Sequence, residues 1–263
     1  NFYIALFSFG FRRLLKNPTL KRKVTARMFA RGMDFRCLSV FPKIATGTSL
    51  WVLTLNFLMV AICNPSMKNP GPAQAYSVFY CNVQGLIPFG ELGNENPTLH
   101  NTKIHELNHY IHTSKPDIVI YNETWLKESI LDSEILPTNV YKVFRLDRCS
   151  FTHPPDPQNR NKFRKNGGGV LVAIKHSLDI ESKVIPVKCR AEILSIELTE
   201  KSGRKIILSS HYRVGTLGIE HHERVTQYLH NIRRRRRVEC LALVGDLNLP
   251  TADWEQGYSS VPI

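Results

Sequence analysis

From residue 76 onward the chain alternates short apolar runs with stretches of helical periodicity. Tyr76–Cys81 is an apolar run of strand length and predicts a buried strand. Ile104, Leu107 and Ile111 recur at i, i+3 and i+7, the stripe of an amphipathic helix. Lys115-Pro116 stops it, because proline pushes the residue before it out of the α region. Further strands are predicted over Asp117–Tyr121, Tyr141–Leu146 and Val170–Ile174, the last entered through Gly167-Gly168-Gly169. Ile193–Leu198 and Lys205–Ser210 read as a strand pair joined at Lys201-Ser202-Gly203-Arg204, which is turn chemistry. Val225, Leu229 and Ile232 line a second helix, and Cys240–Val244 is a strand running into Gly245-Asp246. Many strands, few helices and no strict βαβ rhythm predict α/β layers with mostly antiparallel or mixed sheets.

The texture before residue 76 is different. Residues 1–43 are basic and carry no compact pattern. No charged residue occurs from Ile44 to Met67, and Leu50–Cys63 is nearly all apolar. That core is short of the roughly 20 residues that cross a bilayer comfortably. A membrane segment over 44–67, a signal-type apolar region and a leader helix all remain open. Asn69-Pro70-Gly71-Pro72 is a strong breaker and marks a boundary. The expected organisation is a basic leader over 1–75, with its apolar segment at 50–63, and a folded domain over 76–263.

Charge sharpens that division. The formal net charge is +13, yet residues 1–75 hold 11 Lys and Arg against the single acid Asp34. A basic leader suits an anionic partner such as nucleic acid or a membrane surface. The six cysteines are scattered with no C-x-x-C pair, which points to free thiols in a reducing compartment. Nucleus or cytoplasm is the expected location, or a membrane if 44–67 inserts.

Polar groups with catalytic potential stand where predicted strands end. Asn82 follows the first strand, Glu123 follows Asp117–Tyr121, and Asp246 and Asn248 follow the last. Strand ends let a rigid sheet present side chains to one cleft. Taken singly, each reads equally well as a turn residue, a solvated loop acid or a cap. Their order carries more. Asn82-Val83-Gln84-Gly85-Leu86, Asn122-Glu123-Thr124-Trp125-Leu126, Arg145-Leu146-Asp147-Arg148, Gly167-Gly168-Gly169-Val170-Leu171, His211-Tyr212-Arg213 and Gly245-Asp246-Leu247-Asn248, with Trp254 after them, follow one another over about residues 76–258. In that order they resemble the apurinic/apyrimidinic-type endonuclease domain of non-LTR retrotransposons, within the exonuclease–endonuclease–phosphatase superfamily.

The resemblance implies a four-layer αββα sandwich and a DNA-nicking phosphodiesterase that uses Mg²⁺ or Mn²⁺. It implies Glu123 as metal ligand and Asp246 as general base. Asn82 and Asn248 would position the carboxylates or the phosphate, and Tyr212 would donate to a phosphate oxygen. DNA is the implied substrate, cut to leave a 3′-hydroxyl, with the reverse transcriptase of a polyprotein as a further partner. Hard cations prefer such oxygen ligands. Arg148, Lys165, Arg233, Arg234 and Arg235 are candidate phosphate-backbone contacts, with Lys162 and Arg164 beside the glycines. Gln84 stands where repair enzymes of the superfamily carry an acid.

The family pattern also ends in a Ser-Asp-His whose histidine contacts the scissile phosphate, and this sequence contains none; its last histidine is His230. The domain is therefore expected to be cut short, with an open sheet edge and marginal stability. A remnant that only binds nucleic acid, or is membrane-tethered, is the non-enzymatic alternative. A zinc protease is the rival chemistry: His105-Glu106-Leu107-Asn108-His109 is a formal H-E-x-x-H with His112 one turn on. Because losing one member of a catalytic unit costs orders of magnitude in rate, supercoiled plasmid with Mg²⁺ is expected to be nicked near background. Robust nicking that disappears in Asp246→Ala would overturn this.

Overall fold

The computed structural model describes residues 4–8, 24–30, 33–39, 58–63, 76–86, 98–153, 167–215, 217–236, 238, 240–248, 252–253 and 258–259. In chain order the elements are β1 (Ile4–Ser8), β2 (Val24–Ala30), β3 (Met33–Ser39), β4 (Leu58–Cys63), β5 (Tyr76–Asn82), α1 (Thr98–Ser114), β6 (Ile118–Asn122), α2 (Asp132–Ile135), β7 (Tyr141–Leu146) and β8 (Val170–Lys175). A 3-10 turn (His176–Leu178) follows, then β9 (Glu181–Ile185), β10 (Glu192–Thr199), β11 (Lys205–Tyr212), α3 (Ile219–Arg236), β12 (Cys240–Asp246), β13 (Ala252–Asp253) and β14 (Tyr258–Ser259). Every strand and both helices expected after residue 75 are present. β9 and α2 were not expected: Glu181-Ser182-Lys183-Val184-Ile185 buries only Ser182 and Ile185, as an edge strand with one face in water does.

Two mixed six-stranded sheets form, in the orders β1-β4-β12-β11-β10-β9 and β2-β3-β5-β6-β8-β7. Strand alternation sorts the side chains. Val78 and Tyr80 of β5, Ile118 and Ile120 of β6, and Val170, Val172 and Ile174 of β8 share one core with Leu194, Ile196, Ile206, Leu208, Ala242 and Val244 of the other sheet. Residues of opposite parity point outward. Val119, Tyr121 and Leu171 pack with Ile111 of α1, while Ile193, Ile207 and Leu241 pack with Val225, Tyr228 and Ile232 of α3. The result is the four-layer αββα sandwich.

The two halves repeat one pairing scheme. β5 and β6 are parallel and joined through α1; β11 and β12 are parallel and joined through α3. Each parallel pair then continues through two antiparallel partners, β8 and β7 in one sheet, β10 and β9 in the other. So two crossover units are present where no βαβ rhythm was expected, and the carboxyl ends of both parallel pairs lie at the same end of the sandwich. Ligands of open α/β sheets bind at such ends.

The apolar segment departs from expectation. Leu58–Cys63, part of the stretch considered for membrane insertion, is β4 and pairs antiparallel with β12 from Leu58↔Gly245 to Cys63↔Cys240. Six consecutive apolar residues suit a strand inside a sheet as well as a helix. Among the described residues no helix is long and apolar enough to cross a membrane. β12 therefore has a paired neighbour on each side, β11 and β4. Residues 69–72 lie outside the described residues, as do residues 44–57.

A buried histidine pair ties α3 to its sheet. His221 stacks on His211 of β11, with ring centroids 5.4 Å apart and Nε2 atoms separated by 3.4 Å. His211 Nδ1 donates to the Glu192 carbonyl at 3.0 Å, so its Nε2 accepts from His221. Burial pushes His211 down to about 4, with His222 and Arg213 adding to it against the hydrogen bond to Glu192, and pushes His221 down to about 3, with His211, Arg224, His222 and Arg213 adding to it. Unfolded imidazoles titrate near 6.5. The unfolded chain thus takes up protons first, and the stability contributed by the pair is complete above about pH 6.5 and lost as pH falls toward 4. Thermal melts are expected to show a lower Tm at pH 5 than at pH 7, with the difference reduced in His221→Gln; an unchanged Tm across that range would count against neutral histidines here.

Candidate active site

The core between the sheets stays apolar until its last positions at this end. Following the same parity to the end of each strand gives Asn82, Asn122, Ser210 and Tyr212, Asp246 and, at the start of β10, Glu192. The expected residues Asn82, Glu123, Tyr212, Asp246 and Asn248 are brought together here by strands from both sheets. Asn82 Nδ2 donates to Glu123 Oε1 and to Asp246 Oδ2, both at 2.8 Å. The backbone N–H of Asn248 donates to Asp246 Oδ1 at 3.0 Å. Among the described residues, no cationic side chain makes an ion pair with either carboxylate.

Three loops hold this geometry. The segment after β6 lies between two others: Gly85 N and Leu86 N donate to the carbonyls of Glu123 and Thr124 at 2.7 and 3.0 Å, while Thr124 N and Trp125 N donate to those of Gly169 and Gly168 at 3.3 and 2.8 Å. The three motifs noted separately in the sequence are thus one clamped unit. Four of the six described non-glycine residues with positive φ, namely Gln84, Glu123, Trp125 and Asn248, sit in it or opposite it. Such φ values are uncommon and costly outside glycine, and they persist where the surroundings impose them. Lys103 of α1 pins the first loop by donating to the Val83 and Gly85 carbonyls at 2.8 and 2.6 Å. Arg213 N donates to the Asp246 carbonyl at 2.9 Å, and Asn248 Nδ2 donates to the Arg213 carbonyl at 2.6 Å, which knits the ends of β11 and β12.

Burial tunes the titratable groups. It raises Asp246 above the ordinary carboxylate range, opposed by the hydrogen bonds from Asn248 and Asn82. It raises the Tyr212 phenol strongly, assisted by the Glu123 carboxylate, so Tyr212 stays protonated and can donate. Tyr80, beneath, is raised by burial and by Asp246. Two carboxylates with one neutral amide between them form a donor set that fits a hard divalent cation, which accepts one or two carboxylates with water completing its shell. Glu123 is the more exposed of the two and would hold the ion; Asp246, 6% exposed, would face it from the other sheet.

The candidate nucleic-acid contacts fall in different places. Arg148 is buried and ion-paired with Glu192, with its guanidinium 5.9 Å from the Tyr212 ring centroid. Arg145 clamps the segment after Trp125, donating to the Ile130 and Lys127 carbonyls at 2.6 and 2.8 Å. Arg233, Arg234 and Arg235 occupy the last turn of α3. That turn leads into the start of β12, so the whole strand, roughly 20 Å, separates it from Asp246. Arg236 there pairs with Glu197 at 2.8 Å. Lys165, Lys162, Arg164 and Trp254 lie outside the described residues. The zinc-type histidines His105 and His109 and Glu106 are on α1, as their spacing predicts, with all three side chains exposed. Among the described residues no group of three His, Cys, Asp or Glu gathers around a common point.

No protein-family model matches the chain, and no curated protein matches it. Among solved structures it is similar to D. rerio TDP2 complexed with single-strand DNA product, at 15% identity over 65% of this chain and 60% of that one, TM-score 0.41. It is similar to the human Nocturnin catalytic domain with bound sulfate anion, at 17% identity over 70% and 68%, TM-score 0.43. It is also similar to an AP endonuclease from Archaeoglobus fulgidus, at 15% identity over 57% and 54%, TM-score 0.36. The alignments span about two thirds of these chains or less.

Gly168 offers a direct test of the clamp. Its φ is +61°, and a Cβ there would run into the Glu192 carboxylate and the Arg148 guanidinium. Gly168→Ala adds left-handed strain and disturbs a buried ion pair, and breaking such a pair costs about 3–5 kcal/mol. Urea unfolding is expected to show a loss of at least about 2 kcal/mol on that scale; a loss near zero would mean the Arg148–Glu192 pair is free to move aside.

Proposed function

We propose that this site hydrolyses phosphodiesters of DNA with a divalent cation, Mg²⁺ or Mn²⁺, as the nicking domain of a non-LTR retrotransposon protein, with its rate impaired in this chain. The observation that carries the reading is the Asn82 amide spanning Glu123 and Asp246. It is supported by the ordered motifs that supply every group in the cluster.

The bound cation supplies neutralisation of charge on the phosphate oxygens. The chain's own residues do the rest. Asp246, held by the Asn82 amide and the Asn248 N–H, takes the proton of the attacking water, and its raised affinity for a proton suits that task. Tyr212, kept protonated, donates to a non-bridging phosphate oxygen as charge grows there. Water's oxygen bonds to phosphorus as the bond to the 3′-oxygen breaks; that oxygen departs with the bonding pair and takes a proton from solvent. Among the described residues no imidazole faces the carboxylates: His211, though next to Tyr212, points the other way toward His221. The clamped, half-buried cluster favours this reading over the exposed histidines of α1.

Two measurements test it. Mn²⁺ binding followed by electron paramagnetic resonance is expected to saturate at one site and to weaken at least tenfold in Glu123→Ala. Single-turnover hydrolysis of end-labelled duplex at high protein concentration is expected to be slow, metal-dependent and at least tenfold slower in Asp246→Asn. No bound ion, or cleavage indifferent to Asp246, would refute the proposal. A bound ion with no cleavage at any time would favour the binding-only alternative.

A further inference from the structure

Asn122 precedes Glu123, is completely buried, and was not singled out by its sequence context. It is the register partner of Asn82 on the neighbouring parallel strand. Both side chains cross from their own sheet to the other. Asn82 reaches Asp246 at the solvent side. Asn122 crosses beneath it: Nδ2 donates to the His211 carbonyl at 2.7 Å, and Oδ1 accepts from Ser210 Oγ at 3.0 Å. His211 and Tyr212 are in turn the register partners of Gly245 and Asp246. The path from Glu123 to Asp246 therefore runs through one residue of β6, one buried amide, and one rung of the β11–β12 ladder.

A buried amide with both ends satisfied is geometrically demanding. Its donor and acceptor are chemically distinct, so it fits in one orientation, and leaving either partner unmet is costly. The apolar core behind it has no such direction and tolerates small slips of one sheet over the other. A site shared between two sheets needs its spacing fixed close to the cation, where ligand distances matter to fractions of an ångström.

We infer that Asn122 is a positioning residue whose amide, anchored by Ser210 and the His211 carbonyl, sets the separation of Glu123 and Asp246 and thereby the affinity of the site for its divalent cation. This rests on the proposed metal-dependent function. Asn122 does not touch the ion or the phosphate. It acts through the backbone of Glu123 on one side and through Tyr212 and Asp246 on the other.

The test uses the full chain and Mn²⁺ as probe, with Asn122→Asp and the milder Ser210→Ala, which leaves Asn122 in place and removes one anchor. Circular dichroism and thermal melts establish that each variant is folded at the assay temperature. Asn122→Asp is expected to weaken Mn²⁺ binding about tenfold and Ser210→Ala about threefold. The metal concentration for half-maximal cleavage should move by the same factors, with little change in DNA affinity. A purely structural tie would lower Tm and leave the Mn²⁺ constant unmoved; that result in Ser210→Ala, or in both variants, would overturn the inference. If wild type binds Mn²⁺, Glu123→Ala abolishes it, and the Asn122 and Ser210 variants bind normally, the inference fails while the metal site stands. If wild type binds no Mn²⁺, both fall.

Discussion

Glu123 and Asp246 belong to different sheets, and their oxygens each lie 2.8 Å from the same Asn82 nitrogen. Two like charges at about 5 Å repel by roughly 3 kcal/mol at an effective dielectric near 20. Hydrophobic packing cannot hold them there by itself, because it rewards buried area and not direction. The sandwich answers with directional ties at the end of the core. Asn82 joins the carboxylates, Asn122 joins the strands beneath them, and Arg148 joins β7's end to Glu192 at the start of β10. Cross-sheet ties also occur at the far end, where Tyr76 donates to Glu200 at 2.7 Å and Lys142 to the Ser182 carbonyl at 3.2 Å. An apolar middle supplies the cohesion, and polar ends fix where each sheet stands relative to the other.

The two ends carry different charged groups. Where the parallel strands end stand the carboxylates of the site, and Asp147 and Glu192 are ion-paired to Arg145 and Arg148. Lys205, Arg236 and the arginines of the last turn of α3 gather where those strands begin. An anionic strand bound at the carboxylates would meet its counter-charge from a divalent cation and from donors such as Tyr212, not from the arginine run. A contact by that run would serve a separate stretch of nucleic acid and would add salt-dependent affinity without bearing on the bond being cut.

Much of this was readable in the residues. The strands after residue 75 announced themselves through apolar runs, and Asn82, Glu123, Tyr212, Asp246 and Asn248 through their places at strand ends. What could not be read was which strand lay across from which. Asn122 sits at the even parity of Ile118 and Ile120, facing the second sheet, but that matters only once Ser210 and His211 are known to lie opposite. Arg148, in the Arg145-Leu146-Asp147-Arg148 segment, was a candidate phosphate contact; the Glu192 it pairs with lies 44 residues along the chain and could not be read as its neighbour. β4 was ambiguous for another reason. An apolar run of its length is compatible with a strand, a helix or part of a span, and only its pairing with β12 distinguishes them.

The pairing of β4 with β12 also has a history written into chain order. Cys63 leaves the ribosome long before Cys240, its register partner. At about 5–20 residues per second, the edge of β4 that faces β12 waits roughly 9–35 s for its partner, while β1 on the other side has already been made. For that interval β4 has β1 on one side and an open edge on the other, beside a basic stretch that discourages self-association by repulsion. The sheet that carries Asp246 therefore closes only once β12 has been made, long after β4.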